Sequence, residues 1–108
     1  MAEREVVVAL ITGPSREWAE ECSRGLVEGG LAACVNRIGP VLSCFRWQGE
    51  IQQEEEWLLV VKTTGDRISQ LEAWLREHHP YQVFELVALP VSAGSGTYLD
   101  WVRSEVGT

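Results

Sequence analysis

The sequence predicts a domain of the α+β class, an antiparallel sheet with helices packed on one face. Two observations predict it. Apolar, valine-rich segments alternate with segments of helical periodicity in the order β-α-β-β-α-β. The two middle strands follow one another through a short polar tip, whereas the outer strands are reached only through helices, which is the split βαβ pattern of a ferredoxin-like sandwich.

Arg4 to Thr12 is almost continuously apolar, as a strand covered on both faces would be. Gly13-Pro14-Ser15 ends it, and Ser15 can cap a helix over Arg16 to Glu28 with Trp18, Ala19, Cys22 and Leu26 on its apolar side. Gly29-Gly30 stops that helix. Leu31 to Ile38 is strand-like, Gly39-Pro40 interrupts as a bulge or kink, and Val41 to Gln48 resumes with Val41, Ser43, Phe45 and Trp47 on one face. Gly49-Glu50 reads as the hairpin tip, Glu54 to Glu56 as a solvated charge run, and Trp57 to Thr63 as a strongly apolar strand. Asp66 can cap a second helix carrying Ile68, Leu71, Trp74 and Leu75 at helical spacing, and Pro80 ends it. Val83 to Val91 forms the last strand, and Tyr98 to Val106 a short terminal helix.

The whole length, residues 1–108, reads as one domain. The net charge of -7 argues against a nucleic-acid backbone as partner and is compatible with cations. The apolar run Val6 to Ile11 follows Glu3 and Glu5 rather than a basic segment, so it is not read as a signal peptide, and no run is long enough to span a membrane. Cys22, Cys34 and Cys44 are odd in number and lack a C-x-x-C spacing, so a cytoplasmic address is the simplest expectation.

The middle hairpin suggests self-association. Each arm has about 15 residues and would reach roughly 50 Å if straight, whereas a globule of this length is about 35 Å across. The hairpin must bend or overhang, and an overhang carrying Phe45, Trp47 and Trp57 calls for a partner chain. Trp57 to Val61 send apolar side chains to both sheet faces, and the helices can cover only one.

Among polar groups, His78-His79 is the clearest candidate for a metal or proton site, although neighbours on a helix point about 100° apart. The plainer reading is a pair at an exposed helix end, favoured there by the helix dipole. Cys34 and Cys44 flank the Gly39-Pro40 break and could offer thiolates or simply pack, and Cys22 sits on the apolar side of its helix. Arg46, Lys62, Tyr81 and Glu85 lie within or beside apolar strands, where Lys62 and Glu85 could form a structural pair across an interface or line a ligand cleft. No catalytic triad order, P-loop or dinucleotide fingerprint is present, so no enzyme is indicated.

Six segments stand together in order: Leu31-Ala32-Ala33-Cys34-Val35-Asn36, Phe45-Arg46-Trp47-Gln48-Gly49, Leu59-Val60-Val61-Lys62-Thr63-Thr64, His79-Pro80-Tyr81, Ala88-Leu89-Pro90-Val91 and Tyr98-Leu99-Asp100-Trp101. In these the chain resembles the CutA divalent-cation-tolerance family over about Val6 to Val102. The resemblance implies a ferredoxin-like subunit in a homotrimer, without enzymatic activity or organic cofactor, that binds Cu(II) or another divalent cation. It implies a copper site built from a first-strand cysteine and the paired histidines. His78 and His79 match the histidines, but the cysteine position holds Ile11, and Phe45 and Phe84 stand where the family has tyrosine and proline. CutA subunits also look like the trimeric nitrogen-regulatory PII proteins. That likeness offers an alternative, a small-molecule sensor with an inter-subunit cleft of Trp47, Lys62, His78, Tyr81 and Glu85.

Overall fold

A computed structural model describes residues 4–107. Glu3, invoked above against a signal peptide, lies outside them. The elements are β1 (Val6–Gly13), α1 (Arg16–Glu28), β2 (Cys34–Trp47), β3 (Glu50–Thr64), a 3-10 turn (Gly65–Arg67), α2 (Ile68–His78), β4 (Val87–Pro90) and α3 (Gly96–Glu105). The four strands form one sheet in the order β2-β3-β1-β4, every neighbouring pair antiparallel. This is the α+β class and the ferredoxin-like order that the sequence predicts.

The core lies between one sheet face and the two long helices. Ala9 and Ile11 of β1 and Leu59 and Val61 of β3 meet Ala19, Cys22 and Leu26 of α1 and Leu71 and Leu75 of α2, all buried. Alternation puts the other residues of β1 and β3 on the opposite face. There Val6 packs with Val102 and Val106, so α3 covers one end of it. Val8, Leu10, Leu58 and Val60 continue along that face with Val87 and Leu89 beside them, and the latter two are exposed. The described residues thus include an apolar face whose centre no helix covers.

The hairpin overhangs as the length argument predicts: the molecule measures 44 × 26 × 22 Å. Leu42, Phe45, Trp47 and Ile51 are all exposed along the projecting arm. At its tip Gln48 and Gly49 both have positive φ, 51° and 84°. That is the two-residue turn whose twist matches its flanking strands. The tip is therefore Gln48-Gly49, one residue earlier than expected, with Trp47 facing Glu50. Gly39-Pro40 forms the bulge that the sequence predicts, within one continuous β2: Ile38 pairs with Leu58 and Val41 with Glu56. The extra residue on β2 reverses which face its later side chains occupy. Asn36 and Ile38 share the open face with Leu58 and Val60, and beyond the bulge Val41, Ser43, Phe45 and Trp47 share it with Glu54 and Glu56.

Helix signals were legible to different degrees. Ser15 caps α1 as expected, its hydroxyl accepting the Trp18 amide at 3.1 Å. Asp66 does not cap α2; it sits in the 3-10 turn, accepting hydrogen bonds from Thr64 and Arg4. Its carboxyl is held below the usual range chiefly by the Thr64 hydroxyl. The last strand is shorter than expected, because residues 81–86 run irregularly around the histidines before β4. Ahead of α1, a Cβ added to Gly13 would overlap the Trp18 ring. Gly13→Ala should therefore cost about 1–3 kcal/mol through displaced Trp18, and Ser15→Ala about 1 kcal/mol through the lost cap. Urea unfolding of both variants checks the order and size of these effects.

Candidate functional site: an acidic and aromatic cleft

The hairpin arm, the end of β1 and the segment after α2 enclose a cleft on the open sheet face. Its walls include Phe45, Trp47, Glu56, Tyr81 and Glu85, with Thr12 at the end of β1, in a volume of about 440 Å³. An adjoining hollow of about 250 Å³ adds Glu54 and Gln82. Three carboxylates thus border the cleft, and among the described residues no lysine or arginine lines it.

One chain of hydrogen bonds shapes it. Pro80 bars helical backbone at His79, which is extended (φ -82°, ψ 134°) and turns its ring inward. Nε2–H of His79 donates to the Thr12 carbonyl at 2.8 Å, and Nδ1 accepts the Tyr81 amide at 3.0 Å. A carbonyl can only accept and an amide only donate, so the imidazole is neutral with its proton on Nε2. Trp18, Tyr81 and Phe84 surround it, with Phe84 stacked at 5.3 Å. Burial depresses the His79 pKa. The Tyr81 hydroxyl then donates to Oε2 of Glu56 at 2.9 Å. Burial and that carboxylate both push the Tyr81 pKa up, so the hydroxyl keeps its proton. Burial, and next the charge of Glu56, raise the Glu85 pKa.

Glu56 corrects the sequence reading. It belongs to the run expected to be solvated, yet only 7% of it is exposed. The strand alternation that places Glu55 outward turns Glu56 beneath Tyr81. The period-two pattern could have separated Glu54 and Glu56 from Glu55, but nothing in the sequence links Glu56 to Tyr81 across 25 positions.

The expected metal residues are placed apart in their bonding. Both ring nitrogens of His79 are engaged within the chain. His78 is exposed, stacks on Trp74 at 4.0 Å and donates from Nδ1 to the Trp74 carbonyl at 2.8 Å, which leaves Nε2 bare. Ile11, at the cysteine position, is fully buried in the main core. Among the described residues no group of three His, Cys, Asp or Glu side chains converges to hold an ion. Cys22 is buried, which pushes its thiol pKa up to about 12, whereas Cys34 is half-buried and Cys44 exposed. Of the expected cleft residues, Trp47, Tyr81 and Glu85 share one cleft within this chain. Lys62 stands on the same face but outside that cleft, where its ammonium meets the Asn36 side-chain oxygen. Arg46 faces Ile51 on the other side of the arm.

The hydrogen-bond chain makes stability depend on pH. Because the folded His79 pKa lies below its unfolded value, the unfolded chain binds more protons, and stability is lost as pH falls below about 6.5. His79→Gln should remove that slope in denaturation measured between neutral and acid pH. Glu85 acts oppositely: its raised folded pKa makes the native state gain stability as pH falls toward the ordinary carboxyl range, and Glu85→Gln isolates this contribution. Tyr81→Phe removes the donor to a buried carboxylate and should cost about 1–3 kcal/mol by urea unfolding at pH 7.

A family model described as CutA1 divalent ion tolerance protein matches residues 7–105. The divalent-cation tolerance protein CutA of Thermus thermophilus is 47% identical over 100 residues, covering 93% of this chain and 97% of that protein. Human Protein CutA is 42% identical over 98 residues, and the match covers 91% of this chain and 55% of the human protein, about half its length. A solved Thermus thermophilus structure, a divalent cation tolerance protein, superposes with a TM-score of 0.92 at 46% identity, covering 94% of this chain and 99% of that one. A structure from Archaeoglobus fulgidus, described as a periplasmic divalent cation tolerance protein, gives 0.90 at 34% identity, covering 94% and 98%. With the family model spanning nearly all of the sheet and helices described above, the chain belongs to the CutA divalent-cation-tolerance family.

Proposed function

We propose that this protein is a non-enzymatic, cytoplasmic homotrimer that binds a divalent cation, copper(II) among them, as part of a metal-tolerance response. The observation that carries the reading is the cleft: Glu54, Glu56 and Glu85 border it with no lining lysine or arginine among the described residues. A cation there offsets both the burial and the Glu56 repulsion that raise the Glu85 pKa. Water and a neighbouring copy complete the coordination, since this chain alone converges no three ligands among its described residues. His79 would have to release Thr12 or Tyr81 to take a metal, so the carboxylates carry the site in preference to the histidine pair. The trimer rests on the uncovered apolar face and the overhanging arm, which three copies can bury against one another. The cytoplasmic address rests on three cysteines without a disulfide.

A second reading, an organic small-molecule sensor of PII type, is favoured by one observation. Trp47, Tyr81 and Phe45 line the cleft together, giving it aromatic walls that a bare metal ion does not use.

Calorimetric titration of Cu(II) into the metal-free protein tests the first reading. Glu56→Gln/Glu85→Gln should weaken binding by about tenfold or more, while His78→Ala, outside the cleft, leaves it nearly unchanged. Equal affinity in the wild type and the carboxylate variant would move the cation elsewhere. Light scattering should give three times the chain mass of 12.1 kDa, and Val60→Asp, a charge in the open face, should yield monomer.

A further inference from the structure

On the helix side of the domain, away from the cleft, α1 and α2 enclose a second hollow. Its volume is about 130 Å³, and Trp18, Glu21 and Cys22 of α1 line it with Trp74 and His78 of α2. The spacing explains why they meet. Trp18, Glu21 and Cys22 are three and four apart, Trp74 and His78 four apart, so each set forms one helix face. His78 lies nearly parallel to Trp74, 15° between planes, and its Nδ1–H is tied to the Trp74 carbonyl. The pair is fixed as one aromatic slab. Trp18 is held from behind by Gly13, which leaves no room for a Cβ beneath the indole.

We infer that this hollow is an aromatic cage for a small quaternary ammonium ion, with Glu21 as its counter-charge. Indoles attract cations through their negative faces, and of all side chains tryptophan does so best. The buried Cys22 side chain is apolar in behaviour and supplies no competing charge. Glu21 is the only acidic residue lining the hollow, and no lysine or arginine does among the described residues. An anion meets Glu21 and a chain of net charge -7. A metal ion finds no three convergent ligands among the described residues. A quaternary ammonium needs no hydrogen-bond acceptors, sheds water more readily than a compact ion, and presents methyl groups to aromatic walls. A hollow of this size is comparable to engineered cavities of roughly 150 Å³ that hold a benzene-sized group.

Tetramethylammonium and tert-butanol, a cation and a neutral molecule of similar shape, are the probes. Each is titrated into the full chain at constant ionic strength, and the indole N–H resonances of the five tryptophans are followed by NMR. Trp18 and Trp74 should shift saturably, with tetramethylammonium bound about tenfold more tightly than tert-butanol. Glu21→Gln, at an exposed position that leaves the fold intact, should weaken the cation roughly threefold and tert-butanol not at all. Trp74→Leu should abolish the response. Equal affinity for the two probes, or an unchanged tetramethylammonium affinity in Glu21→Gln, overturns the cage. So do shifts confined to Trp47, which would place the cation in the cleft of the hairpin arm.

Discussion

Three parts of the chain depend on one imidazole. His79 ties the end of β1, through the Thr12 carbonyl, to the irregular segment after α2, through the Tyr81 amide. Tyr81 extends the tie to Glu56 on the hairpin arm. A side chain that gave only one of these bonds would leave either a carbonyl or an amide unsatisfied in a largely buried setting, at a cost of about 1–3 kcal/mol. The aromatic box around the ring keeps water from competing and keeps the ring neutral. The same residue that reads as a metal ligand in the sequence is thereby committed to architecture. What it offers to function is indirect: it holds Tyr81 and the cleft wall in place.

This arrangement separates charge across the molecule. The cleft gathers carboxylates on the open sheet face, where burial and then the charge of Glu56 both raise the Glu85 pKa while the Tyr81 hydroxyl stabilises Glu56. Exposed arginines pair locally on helices, Arg24 with Glu28 and Arg76 with Glu72. Such exposed pairs add little stability. They do, however, neutralise helix surfaces and leave the cleft as a concentrated source of negative potential.

The order of elements was legible because each boundary carries a local chemical signal. Ser15 before Arg16 and Pro80 after His79 act within a turn of where they stand, so a linear reading finds them. The core residues Ala19, Cys22, Leu26, Leu71 and Leu75 were legible for the same reason, since helical periodicity is local. The cleft was legible only in part. Trp47, Tyr81 and Glu85 could be singled out as aromatic or polar groups in apolar surroundings, but their convergence depends on the arm of β2 and β3 meeting the segment after α2. Glu56 reads as solvated because strand alternation does not say what covers a face, and the Tyr81 that covers it arrives from 25 positions away. The displacement of the tip to Gln48-Gly49 has a similar cause: glycine alone marks a turn, and a non-glycine residue with positive φ beside it leaves no mark in the sequence.

The bulge at Gly39-Pro40 adds one residue to β2, and everything beyond it changes sides. Paired residue for residue with no bulge, the same chain would turn Leu42, Cys44 and Arg46 to the cleft in place of Val41, Ser43, Phe45 and Trp47. The wall would lose its aromatic groups and gain a guanidinium opposite the carboxylates. The pairing across Gly39-Pro40 thus sets the recognition surface, whereas deleting one of these two residues would leave Val41 opposite Glu56 and the wall as it is. What the cleft presents is therefore decided as much by a backbone irregularity outside it as by the side chains that line it.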